Sequence, residues 1–128
     1  MPFTTQSLLL LLVAFCITSC TELSEEFSRA PHRALVQGDP EGGAQIRFRT
    51  INGSLPLLRF ESKLAKKVWL DPGEYNLIID CFWPVERQKP VRRHKVQLTV
   101  EEGYDYDLKA RDTGDDTVID IVPREREY

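Results

Sequence analysis

The sequence is poor in the residues that most enzymes use as metal ligands or nucleophiles. Its 128 residues include two histidines and three cysteines. Catalytic zinc takes three protein ligands, and His32 and His94 stand in no spacing that supplies them. None of the serines after residue 19 lies in a nucleophile-elbow motif. The sequence therefore predicts no catalytic residue, no metal site and no cofactor.

An enzyme remains the alternative hypothesis. It would be a small hydrolase or a metal-dependent enzyme that uses His94 together with nearby acids. Such an enzyme needs a concave pocket in which His94 meets two or more convergent polar groups. A binding module needs only a flat patch or an exposed sheet edge.

Charge is absent from the start of the chain. Residues 1–19 contain no Asp, Glu, Lys or Arg, so the net charge of −3 belongs entirely to the remainder. A mildly acidic chain argues against general nucleic-acid binding, and no nucleic-acid partner is expected. The apolar run at residues 8–17 is about half as long as a membrane-spanning helix requires. Its size and its position near Met1 are typical of a signal peptide.

The apolar run ends in Ile17, Thr18, Ser19 and Cys20. This tetrapeptide resembles the lipobox of bacterial lipoproteins, which implies that residues 1–19 are removed and that Cys20 is lipidated. Thr21 follows the cysteine, and by the sorting habit of this class the protein is expected at the outer membrane, facing the periplasm. Two or more acyl chains would anchor it stably. Ordinary secretory cleavage after Ser19, with Cys20 as a free thiol, is the alternative.

The rest of the chain divides into three parts. Residues 20–31 comprise the predicted lipidated cysteine and a polar, aperiodic segment that is interpreted as a flexible tether. Residues 32–122 are expected to form one domain, and residues 123–128 a charged tail. Beyond the signal peptide Cys20 and Cys81 are the only cysteines, which excludes a disulfide framework and a four-ligand zinc site if Cys20 is a thioether. Cys81 is interpreted as a small hydrophobic residue in a strand.

The sequence of the domain predicts about seven short strands separated by turns. Apolar residues alternate along β-type segments, with Ile46 and Phe48 on one face of the second and Val96, Leu98 and Val100 inward on a later one. The predicted strands are 33–37, 44–51, 66–70, 74–83, 94–102, 104–110 and 117–122. Asn52-Gly53 favours a tight reversal, and Asp71-Pro72-Gly73 favours a type II turn. The fold class expected is all-β, a single antiparallel β-sandwich.

Three segments carry a resemblance to small bacterial envelope lipoproteins with a transthyretin-like or PEGA-like β-sandwich. They are INGS at 51–54, VWLDPGEYNLIIDC at 68–81 and VQLTVEEGYDYDLKA at 96–110. The shared features are turn glycines, a turn proline and core aromatics. The resemblance implies a sandwich fold and an envelope location. Such families have no shared catalytic residues and are mostly of unknown function.

One basic segment, ERQKPVRRHK at 86–95, interrupts this acidic domain. Its cations are Arg87, Lys89, Arg92, Arg93 and Lys95. We expect an exposed loop that binds anionic lipid headgroups, lipopolysaccharide or an envelope protein. The simpler interpretation is a solvated loop that protects a sheet edge. The function predicted overall is a membrane-anchored, non-enzymatic lipoprotein that contributes to envelope structure or binds a partner.

Overall fold

The computed structural model describes residues 23–41, 43–57, 64–83 and 91–127. The predicted signal peptide and Cys20 lie outside these residues, as do Arg87 and Lys89 of the basic segment. The account that follows concerns the described residues.

The described chain is an all-β sandwich, as predicted. A 3-10 turn at Glu25–Phe27 precedes seven strands: β1 Ala34–Gly38, β2 Gln45–Ile51, β3 Lys67–Leu70, β4 Gly73–Phe82, β5 Arg92–Val100, β6 Tyr104–Asp112 and β7 Thr117–Glu125. One sheet has the order β3-β1-β6-β7 and the other the order β2-β4-β5. Every pairing is antiparallel except β1 with β6, which is parallel. No hairpin connects those two strands, so no tight turn imposes an antiparallel direction on them.

The core lies between the two sheets and follows the alternation of apolar residues. Val96, Leu98 and Val100 of β5 are buried, whereas the residues between them are exposed. β4 is the central strand of its sheet. Leu77 and Ile79 lie on its buried inner face, while its outer face is also partly covered. β4 pairs with β2 on one side and with β5 on the other, so its register fixes which residues of those two strands lie side by side.

Of the two predicted turns, the Asn-Gly reversal is confirmed and the type II turn is not. Asn52 and Gly53 have φ of +49° and +82°, and the backbone N–H groups of Ile51 and Ser54 each donate to the other's carbonyl at 2.9 Å. This is the tight reversal expected from Asn-Gly. Gly73 has a positive φ, as predicted, but its value of +152° is far from the roughly +80° of a type II turn. The turn type was wrong, because Gly73 already belongs to β4.

The N-terminal segment contacts the domain at Leu23, Ser24 and Phe27, which differs from the predicted tether. Phe27 is 5% exposed and belongs to the hydrophobic core. Leu23 forms a β-bridge with Leu57, and the guanidinium of Arg33 donates to the carbonyls of Glu25 and Ser28. A single aromatic residue in polar sequence gives no periodic signal, yet Phe27 joins the hydrophobic core.

The C-terminal boundary also differs, because β7 continues to Glu125 and includes part of the predicted tail. Pro123 pairs opposite Tyr106, and the backbone N–H of Arg126 donates to the carbonyl of Gly103. Hydrogen-bonded and non-hydrogen-bonded residue pairs alternate along an antiparallel ladder. Counted from the bond between Arg126 and Gly103, Pro123 and Tyr106 form a non-hydrogen-bonded pair, in which a backbone N–H would point away from β6. Proline is tolerated there because it removes no bond of the sheet.

A candidate anion-binding face

The basic segment predicted as a loop lies partly on strand β5. Alternation along the strand separates its two adjacent arginines. Arg93 and Lys95 lie on the outer face of the β2-β4-β5 sheet, whereas Arg92 lies on the other side and forms an ion pair with Asp116 at 3.6 Å. Lys95 is exposed, as predicted. The structure therefore brings Arg93 and Lys95 together and separates Arg92 from them.

Three further cations join Arg93 and Lys95. Arg47 and Arg49 come from β2, and Lys66 directly precedes β3. We call the set Arg47, Arg49, Lys66, Arg93 and Lys95 the cationic face. The sequence places Arg47 and Arg49 on the outer side of their strand, but the pairing of β2 and β5 with opposite edges of β4 has no local signal. Sequence reasoning therefore missed the contribution of β2.

One carboxylate lies at the centre of the cationic face. Asp80 of β4 stands directly between Arg47 of β2 and Arg93 of β5 in the sheet register. Its side chain is 7% exposed and accepts from Nη1 of Arg49 at 2.8 Å and from Nε of Arg93 at 3.4 Å. A nearly buried carboxylate is stabilised by such charge-assisted hydrogen bonds. Five cations and one acid leave the face with a formal charge of 5 − 1 = +4.

Not all of these cations are neutralised within the protein. Arg47 donates to Oε1 of Gln45 at 3.0 Å and to the carbonyl of Ile46 at 3.3 Å, which are both uncharged acceptors. Lys66 and Lys95 are exposed and form no ion pair with another described residue. The face thus has positive charge available to an external anion.

A cleft borders the cationic face. It has a volume of about 740 Å³, and its lining combines charged and apolar residues: Arg47, Arg49, Leu64, Lys66, Asp80, Phe82 and Val91. Val91 is 54% exposed, so apolar surface lies beside the cations. Cations next to apolar surface suit an anionic group that is attached to an apolar body.

His94 is the residue on which the alternative enzyme hypothesis depends. It lies on the inner face of β5 opposite Ile79, where Nε2 is buried and has no hydrogen-bond partner among the described residues. In the same part of the chain, no group of three or more His, Cys, Asp or Glu residues is placed to hold a metal ion. Cys81 is fully buried, and desolvation raises the pKa of its thiol, which favours the protonated form. It packs as the small hydrophobic residue that the sequence indicated.

No protein-family model, curated protein or solved structure matches the chain. The class is therefore defined by the fold itself, an all-β sandwich of two sheets. Within the described ranges, no helix is long and apolar enough to cross a membrane.

Proposed function

We propose that this protein is a lipid-anchored, non-enzymatic binding module of the bacterial cell envelope. In this proposal Cys20 carries the lipid, and the domain stands at the outer membrane facing the periplasm. The lipobox-like sequence before Cys20 and the resemblance to small envelope lipoproteins support the anchor. The cationic face supports the binding role, with anionic lipid headgroups, lipopolysaccharide or an acidic envelope protein as its partner.

Charge segregation is the observation that carries this proposal. The chain has a net charge of −3, while the cationic face alone sums to +4, so the remaining residues sum to −3 − 4 = −7. A cationic patch on a protein of opposite overall charge attracts anions locally. Such attraction is worth about 1 kcal/mol per Lys or Arg near an anionic membrane and is screened beyond roughly 10 Å at moderate salt.

The test is binding of residues 21–128 to anionic phospholipid vesicles and to lipopolysaccharide at low and high salt. The variant Lys66→Gln/Lys95→Gln removes two charges from the face and leaves the ion pairs of Asp80 intact. The matched control, Lys109→Gln/Arg111→Gln, removes two charges from the outer face of the other sheet.

We expect the first variant to lose about 2 kcal/mol of binding free energy at low salt, roughly a thirtyfold weaker affinity. The control should bind like the wild type, because its charges lie on the opposite side of the sandwich. Equal losses in both variants would mean that net charge alone governs binding. Absence of binding at low salt would reject the anion-binding role.

A further inference from the structure

The segment between the proposed anchor and the domain is held at a defined place. The backbone N–H of Ser24 donates to the carbonyl of Pro56 at 2.8 Å, and Leu23 forms a β-bridge with Leu57. Phe27 follows within the core. Leu23, the first described residue, is therefore held against the domain at Leu57.

The distance from this position to the proposed lipid is short. Cys20 precedes Leu23 by three residues, which can span at most about 11 Å when fully extended. The headgroup layer of one leaflet is about 5–7 Å thick, as the difference between total and hydrocarbon thickness requires. A lipid on Cys20 would therefore hold the surface around Leu23 within or just above the headgroups.

An exposed leucine lies on this same surface. Leu55 is 69% exposed and is separated from Leu57 by one residue. The reversal before it is rigidly supported, because Asn52 exchanges two hydrogen bonds with the backbone of Asn76: its N–H donates at 2.9 Å and its Oδ1 accepts at 2.7 Å. A single exposed leucine is common on protein surfaces. Leu55 directly follows this reversal and precedes Pro56, the residue to which Ser24 is bonded.

We propose that Leu55 inserts into the headgroup layer of the membrane that carries the lipid, so that the anchor holds the domain in one orientation. The inference rests on the proposed lipidation of Cys20. Glu25 and Glu26 are exposed in the 3-10 turn that follows Ser24 and would not be attracted to anionic headgroups. The contact therefore depends on apolar burial and should resist high salt, in contrast to binding through the cationic face.

The experiment places one fluorophore at either end of the sandwich. The full chain carries Cys81→Ala. Once residues 1–19 are removed and Cys20 is lipidated, the remaining labelling site is the cysteine introduced by Leu55→Cys or, as the matched control, by Asp115→Cys. Asp115 is exposed in the turn between β6 and β7, and β6 runs nine residues, about 30 Å, away from the end of the sandwich near Asn52. Each protein is produced with labelled palmitate, purified with its lipid and reconstituted in phosphatidylcholine vesicles that contain headgroup-level nitroxide lipids.

We expect nitroxide quenching at Leu55→Cys to exceed that at Asp115→Cys several-fold, and to persist at high salt. A second reporter, Ser54→Cys, leaves Leu55 in place and should also be quenched; adding Leu55→Asp should reduce that quenching while the melting temperature stays unchanged.

The outcomes separate the inference from the function on which it rests. Protein that takes up no palmitate would reject both the lipid anchor and the orientation. Palmitate-labelled protein with equal quenching at the two ends of the sandwich would reject only the orientation, since the anchor would be present without the contact. Insensitivity of the Ser54→Cys reporter to Leu55→Asp would reject Leu55 as the inserted residue.

Discussion

Replacing Asp80 by Asn should affect stability and anion binding in opposite directions. Asp80 is 7% exposed at its side chain and holds Arg49 and Arg93. A hydrogen bond to a charged group contributes about 1.5–3 kcal/mol. The guanidiniums of these arginines are partly exposed, with side chains 39% and 60% accessible, so both can return to water when the carboxylate is lost. Asn also keeps one acceptor oxygen.

The expected loss in the free energy of unfolding is therefore about 1–2 kcal/mol, below the sum of two full charged hydrogen bonds. For a domain of this size, that corresponds to a fall of roughly 5–10 °C in melting temperature. Asp120→Asn is the control, since its carboxylate is 44% exposed and pairs with Arg111 at 3.1 Å on the surface. That change should cost less than about 1 kcal/mol.

The same substitution removes the carboxylate at the centre of the cationic face and raises the summed formal charge of the five cations and this residue from +4 to +5. Affinity for anionic vesicles at low salt should rise by about 1 kcal/mol, roughly fivefold. Thermal melts followed by circular dichroism and vesicle sedimentation measure the two effects on the same preparations. If Asp80→Asn and Asp120→Asn have the same melting temperature, the Asp80 carboxylate does not stabilise the domain more than a surface ion pair does. If the variant binds anions more weakly than the wild type, the face is not the anion-binding surface.

Further substitutions test the anchor, the N-terminal segment, the β4 entry and the buried thiol. Cys20→Ser should abolish palmitate labelling and leave a mislocalised precursor; equal labelling of both proteins would reject lipidation. Phe27→Ala should cost about 3–5 kcal/mol in chemical denaturation, as for a core aromatic, whereas a tether residue would cost nothing. Gly73→Val should cost about 1–3 kcal/mol, because the φ of +152° disfavours a β-branched residue, and an unchanged melting temperature would contradict this. Burial raises the pKa of the Cys81 thiol, so the stability that the protonated thiol contributes is intact below the pKa of an unfolded cysteine and is lost as pH rises through the folded-state pKa. Cys81→Ala should reduce the loss of stability at alkaline pH. A free energy of unfolding that depends on pH in the same way as in the wild type would contradict this.

The strands and their faces follow from the sequence because side chains alternate along an extended backbone. The spacing of Val96, Leu98 and Val100 predicts an inward face, and the structure buries all three. Turn chemistry is equally local. Asn52 and Gly53 adopt positive φ, as their side chains allow, and reverse the chain at the expected place.

The cationic face depends on contacts that no local pattern encodes. Asp80 meets Arg49 and Arg93, which are 31 and 13 residues away along the chain. Their meeting depends on which strands pair and in which register, and register is set by packing of the whole core. The separation of Arg92 from Arg93 likewise depends on β5 beginning at Arg92 rather than two residues later.

The ends of the domain were also decided by tertiary structure. Phe27 and Arg126 lie in polar, aperiodic sequence that indicates a tether and a tail. Phe27 enters the core, while the Arg126 guanidinium donates to Asp105 and to the carbonyls of Pro31 and Arg33. A single aromatic and a single arginine give no periodic signal. They contribute to the structure only when the folded sheets present a hydrophobic core to Phe27 and hydrogen-bond acceptors to Arg126. The sequence by itself determined the strands, their faces and the turns, because these depend on near neighbours; the domain limits and the cationic face required the packed sandwich, because they join residues that are distant along the chain.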